Sequence, residues 1–193
     1  MPDINAKTNV CALFGHPVGH SLSPELHNAA FEALKLPFVY VAHDVLPGNV
    51  STALAGIRVM GYRGLSVTIP HKVEAMQGVD QVDQIARGIG CINTVVNDGG
   101  KLVGYNSDGL GALGALRDAD ADPTGKNVLM LGSGGAARAI AITLAQEAPP
   151  SRFTIQGIVM DELERLVRDV RSQGAPNVSG VPMTETSLEE AIA

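Results

Sequence analysis

The sequence predicts an α/β protein in two successive parts, each an open sheet with helices between its strands. Three observations carry this. Short apolar runs alternate with stretches of helical periodicity along the chain. Glycine and proline fall at the joins between them. A second strand-and-helix series begins afresh near Lys126, and a glycine-rich turn follows its first strand. A length of 193 residues suits one or two domains and is enough to bury a real core.

The elements follow in order. "VCALFG", residues 10–15, reads as a buried strand ending in glycine. In "SLSPELHN", Ser23 is expected at a helix N-cap with Pro24 at the first helical position. Leu26, Ala30, Phe31 and Leu34 continue that helix, and Pro37 stops it. Residues 38–45 form a strand, 47–61 a helix closed by glycine, and 64–69 a third strand ended by Pro70. A short helix carries His71 and Lys72, and a further helix is expected over about 80–87. Residues 93–106 read as two strands around an Asp-Gly-Gly turn. Residues 107–122 read as a linking helix.

The second series runs strand 126–132, glycine turn and helix, strand 152–159, then the amphipathic helix 160–174. Leu163, Leu166, Val167 and Val170 share one face of that helix, and Gly174 is its stop. "VSGVPM" is a candidate third strand and "SLEEAIA" the start of another helix. This β-α-β-α-β-α order is one half of a dinucleotide-binding, or Rossmann, fold. The expected division is a first domain over 1–107, a linking helix and loop over 108–125, and a partial Rossmann domain over 126–193.

Composition narrows the function. Net charge is −6, the isoelectric point is about 5.3, and no Lys/Arg run exists, so a nucleic-acid partner is not expected. Cys11 and Cys91 are the two cysteines, far apart and without CxxC spacing. A reduced cytoplasmic protein without a metal site or disulfide framework is the expectation. The N-terminus has no apolar h-region, and no uncharged apolar run reaches the roughly 18 residues of a membrane span.

Two sets of residues carry chemistry. In "LGSGGAAR", Gly132, Ser133, Gly134, Gly135 and Ala136 lie between a strand and a helix. Glycine there lets the backbone turn tightly and approach a pyrophosphate at the helix N-terminus. An acidic residue about 20 positions on would take a ribose 2′-hydroxyl, and an arginine would welcome a 2′-phosphate. The second strand ends "QGIVMD", with no charge before Asp161, so NAD and NADP both stay open. Four polar clusters also end or follow strands: Ser21–Ser23, Thr68–Lys72, Cys91–Thr94 and Tyr105–Gly109. Ligands of open α/β sheets bind at the carboxyl ends of strands, and these side chains suit a small polyol acid. Lys72 can serve proton transfer, with Asp108 its natural partner. Taken singly, Ser23 reads as a cap, Lys72 as a solvated lysine, and Asn93 and Asp108 as turn formers.

Together the motifs identify a resemblance. "FGHPVGHSLSPELHN", "SVTIPHK", "GCINTVV", "GYNSDGLG" and "LGSGGAAR" occur in the order found in the shikimate dehydrogenase family, which includes quinate/shikimate dehydrogenases. The resemblance covers roughly residues 10–175. It implies reversible NAD(P)H-dependent reduction of 3-dehydroshikimate to shikimate, on the route to chorismate and the aromatic amino acids, by a monomer or homodimer. It implies that Ser21 and Ser23 hold the substrate carboxylate, each hydroxyl donating a hydrogen bond without adding charge. Thr68, Asn93 and Asp108 would bind ring hydroxyls. Lys72 would be the catalytic lysine paired with Asp108. Residues 132–136 would lie under the cofactor pyrophosphate.

Two departures accompany the resemblance. NADP-using members usually carry Asn-Arg-Thr after the second strand of the nucleotide domain, where this chain reads Gly157-Ile158-Val159. NAD use, or substitution by Arg152 or Arg138, follows as an alternative. Family members also continue well beyond this length, so a C-terminally truncated form is expected. Competing readings are a catalytically silent shikimate-binding fragment and an NAD-using quinate/shikimate dehydrogenase. A methylene-tetrahydrofolate dehydrogenase shares the two-domain layout, but "SLSPELHN" followed by "NSDG" argues against it.

Overall fold

Strand β1 (Asn9–Gly15) alternates its side chains between two layers. The structure, a computed structural model, describes residues 4–192. Ala12 and Phe14 join a buried cluster with Val50, Leu54, Ile57, Leu65 and Val67. Leu13 joins the opposite cluster, with Val18 and Tyr40 and with Phe31 packed against it. β1 is therefore covered on both faces, which is why it reads as a continuous apolar run.

The first unit continues α1 (Ser23–Ala33), β2 (Phe38–Asp44), α2 (Val50–Met60), β3 (Gly64–Val67), α3 (Lys72–Gln77), β4 (Gln81–Val82), α4 (Gln84–Ile89), β5 (Thr94–Asp98) and β6 (Lys101–Tyr105). Its six strands form one sheet in the order β2-β1-β3-β5-β6-β4. β1 runs parallel to β2 and β3, whereas β5 runs antiparallel to both β3 and β6. The open α/β sheet is thus mixed, because the hairpin at Gly99–Gly100 reverses the chain within it.

Two local expectations need correction. Ser23 is not the N-cap of α1. Leu22 holds that place, its carbonyl accepting from the Leu26 amide at 3.1 Å, and no side chain caps the helix. The Ser21 hydroxyl instead accepts from the Ser23 amide at 3.3 Å, one position further out. The single helix expected over 80–87 is in fact β4 followed by α4. The Asp80 carboxylate is claimed by Arg58, at 2.8 and 3.1 Å, and by the Leu102 amide at 2.7 Å. This holds the stretch against β6 in extended form. Asp83 is the true cap, accepting from the Ile85 amide at 2.9 Å. The Arg58 hydrogen bonds hold the Asp80 carboxyl below the usual carboxylate range.

A second unit begins at Ser107. It contains α5 (Asp108–Asp118), β7 (Asn127–Leu131), α6 (Gly135–Glu147), β8 (Arg152–Gly157), α7 (Met160–Ser172), β9 (Val178–Pro182) and α8 (Glu185–Ile192). β7, β8 and β9 form a parallel sheet in that order. Phe153 and Ile155 of the central strand are fully buried, as are Leu163, Leu166 and Val170 of α7. The helix read from sequence as a linker groups with this unit and packs on α6. The packing is close. A Cβ on Gly109 would lie 2.6 Å from the Ala139 carbonyl and would overlap the Thr143 hydroxyl.

Gly109→Ala is therefore expected to destabilise the second unit by about 1–3 kcal/mol, since backbone rather than a flexible side chain must give way. Urea unfolding checks this. Asp122 gives a pH dependence. Its bonds with Thr124, and then with Arg117, hold its carboxyl down at about 2 against the ordinary 3.8. A depressed carboxylate stabilises the fold above its unfolded value, and that contribution is lost as pH falls through the folded value. Asp122→Asn is expected to be less stable than the parent chain at neutral pH. The gap should close between about 3.8 and about 2, as read by thermal melts across acid pH.

Candidate functional site

The carboxyl edge of the first sheet gathers the polar loops. Gly15, Asp44 and Val67 end β1, β2 and β3 on that edge, because these strands are parallel. β5 runs the other way, so its first residue, Thr94, pairs with Ser66 and with Tyr105 at the same edge. The Cys91–Thr94 cluster therefore precedes its strand rather than following one, and it still arrives beside Thr68. The Val67 amide donates to the Asn93 carbonyl at 2.7 Å, and the Asn93 amide donates to the Tyr105 carbonyl at 2.9 Å.

A cleft of about 210 Å³ opens here, lined by Leu13, Pro17, Val18, His20, Ser21, Ser23 and Thr68. Three of the sequence-predicted residues share it: Ser21, Ser23 and Thr68. Its polar groups are hydroxyls and one imidazole, on a floor of three apolar side chains. It is smaller than the range of drug-sized ligand sites, which suits a small ring rather than a dinucleotide. Hydroxyl donors over an apolar floor can bind a carboxylate or a ring hydroxyl and fix its orientation.

Lys72 opens α3 one turn beyond Thr68 and is partly buried. Its carbonyl accepts from the Ile92 amide at 3.0 Å, so the backbone of the Thr68–Lys72 loop is tied to that of the Asn93 loop. The Thr94 hydroxyl donates to the Asn93 side-chain oxygen at 2.8 Å. Asp108 lies in the second unit, in the first turn of α5, and is partly buried.

Three supporting residues escaped the sequence reading. His71 is 1% exposed, and its Nε2 donates to the Val45 carbonyl at 2.6 Å, pinning the Lys72 loop to the end of β2. Asn106 is also buried, and its amide donates to the Cys91 carbonyl at 3.2 Å and reaches the Cys91 sulfur at 3.4 Å. His16 Nδ1 meets the Asp44 carboxylate at 2.7 Å, tying the loop that carries Ser21 to β2. The available signal was position alone: each is a polar residue inside one of the quoted motifs.

The second unit carries the other set. Residues 132–134 form the turn from β7 into α6, and Gly135 and Ala136 open that helix. Gly132 has φ +108°, a conformation that favours glycine. A Cβ at Gly132, Gly134 or Gly135 would meet nothing within 4 Å, and Gly134 is the N-cap of α6. Open space over a helix N-terminus is what a pyrophosphate needs, so these residues fit that group. Among the described residues, no cluster of His, Cys, Asp and Glu could hold a metal ion, and no helix is long and apolar enough to cross a membrane.

Asn106→Ala tests the supporting layer. Losing the donor removes the bond to the Cys91 carbonyl from a buried position, and a loss of about 1–3 kcal/mol in urea unfolding is expected.

The comparisons with known proteins agree with this arrangement. Residues 13–95 match the family described as the shikimate dehydrogenase substrate binding domain. The chain is 51% identical over 145 residues to shikimate dehydrogenase (NADP(+)) of Moorella thermoacetica, covering 75% of this chain and 49% of the relative. It is 41% identical over 190 residues to the Methanopyrus kandleri protein of the same name, covering 98% of this chain and 65% of the relative. This chain thus spans about half to two thirds of the length of these curated relatives. The crystal structure of shikimate 5-dehydrogenase from Listeria monocytogenes, in complex with shikimate and NAD, superposes with a TM-score of 0.93 at 32% identity. That match takes in all of this chain and 68% of the Listeria protein. With its motifs in order, its cleft at the sheet edge and shared sequence over more than two thirds of a solved relative, this chain belongs to the shikimate dehydrogenase family.

Proposed function

We propose that this chain serves as a shikimate dehydrogenase, an oxidoreductase that interconverts 3-dehydroshikimate and shikimate with a nicotinamide dinucleotide. One observation carries the reading: Ser21, Ser23 and Thr68, from two separate loops, line a single small cleft. The relatives' names support the substrate and the cofactor class, since the Moorella and Methanopyrus proteins are named for NADP(+) and the Listeria structure holds shikimate and NAD.

The roles follow from the chemistry of each residue. Ser21 and Ser23 donate hydrogen bonds to the substrate carboxylate without introducing a charge that would have to be desolvated. Thr68, Asn93 and Asp108 orient ring hydroxyls. When bound, the reduced dinucleotide supplies hydride to a carbonyl carbon. The Lys72 ammonium stabilises the negative charge developing on the carbonyl oxygen and delivers a proton to it. Asp108 is the carboxylate assigned to orient that lysine. Residues 132–136 receive the pyrophosphate at the N-terminus of α6. The acidic net charge of −6 supports action on small molecules rather than nucleic acid, and the two isolated cysteines support a reduced, cytoplasmic setting.

Lys72→Ala is expected to lower turnover by roughly 10²–10⁴-fold, the usual weight of a general acid, while shikimate affinity changes little. Absorbance of the reduced nicotinamide reads turnover, and calorimetry reads binding. Equal turnover in the variant overturns the role of Lys72. Shikimate binding without any turnover by the unaltered chain overturns the oxidoreductase reading.

A further inference from the structure

The choice between NAD and NADP is made where the second strand of a dinucleotide-binding unit ends, because the adenosine ribose lies there. In this chain that place is the end of β8, and it abuts the glycine turn. The Gly132 amide donates to the Gln156 carbonyl at 2.7 Å. A Cβ on Gly157 would stand 2.8 Å from the Ser133 hydroxyl and 3.1 Å from the Ser133 Cβ, so the end of β8 runs close against the turn. The residues that leave β8 therefore stand beside the pyrophosphate turn.

These residues offer nothing to a phosphate. Ile158 is 80% exposed, Val159 47% and Met160 41%. Asp161 and Glu162 follow, both exposed in the first turn of α7. Between Leu131 and Arg165 the chain holds two cations, Arg138 and Arg152. Arg138 is engaged by Asp169, Nη1 to Oδ2 at 2.6 Å. Arg152 opens β8 at its opposite end, about 17 Å away at 3.3 Å per residue. Arg165 lies on α7 at helical spacing from Asp161 and Glu162, where carboxylates three and four residues away screen it. A 2′-phosphate would bring up to two negative charges into an apolar and acidic corner with no guanidinium to receive them. A 2′-hydroxyl brings none.

We propose that this chain selects against the 2′-phosphate and takes NAD in preference to NADP, with Ile158 and Val159 as the positions that set the choice. The inference rests on the dinucleotide reading above. It separates this chain from the relatives named for NADP(+).

The test is a titration of the 193-residue chain with NADH and with NADPH, by calorimetry and by nicotinamide fluorescence, without turnover. NADH is expected to bind at least about tenfold more tightly, the weight of one lost charge-assisted hydrogen bond. Ile158→Arg is expected to shift the affinity ratio toward NADPH by about tenfold, as a guanidinium at the strand end supplies the missing partner. Equal or tighter NADPH binding by the unaltered chain overturns the inference alone. No shift in the Ile158→Arg ratio overturns the assignment of that position. Absence of binding by either dinucleotide overturns the dinucleotide reading itself, and the inference with it.

Discussion

The backbone pairing of β3 with a reversed β5 is the constraint on which the first unit's site depends. Ligand loops of a parallel sheet normally follow their strands, because only the carboxyl ends share an edge. Here Asn93 precedes its strand and still reaches that edge, because β5 runs opposite to β3. The hydrogen bond from the Val67 amide to the Asn93 carbonyl is the contact that closes it. A parallel β5 would have carried the same residues to the far side of the sheet.

Around that pairing, polar side chains hold the loops, His71 and Asn106 from buried positions and His16 from a part-exposed one. His71 bonds the β2 end, Asn106 bonds the Cys91 loop, and His16 meets Asp44. Their partners are mostly carbonyls, which must be satisfied once buried. The His71 and Asn106 bonds that meet this requirement also fix the Thr68 and Asn93 loops in place, and the His16–Asp44 pair ties down the Ser21 loop. Loop position and core stability in the first unit thus have a common cause.

The second unit uses backbone proximity in another way. Glycine at position 157 lets β8 come against Ser133, and the positive φ of Gly132 turns the chain over the start of α6. The result is an open space over the glycine turn, beside a strand end whose exposed side chains are apolar. The chemistry of that corner is decided by what Arg138 and Arg152 are doing, not by their presence. Arg138 is held by Asp169, and Arg152 stands at the wrong end of β8.

Much of this was legible in the sequence. The apolar run of β1 is unmistakable, because a strand covered on both faces cannot alternate with polar residues. The five motifs and their order carried the family, and the amphipathic α7 buries three of the four residues its periodicity assigned to one face. Local rules failed where a distant partner intervened. The stretch at Asp80 was read as helix because its claim by Arg58 and Leu102 is invisible along the chain. Ser23 was read as a cap because Ser-Pro is a strong local signal, whereas the helix begins one residue earlier. By itself the sequence determined the element types, the glycine turn and the candidate residues, since these depend on local periodicity and conformational preference. Only the tertiary structure decided the direction of β5, the grouping of Ser21, Ser23 and Thr68 in one cleft, and the engagement of Arg138, because each is a contact between residues far apart in the chain.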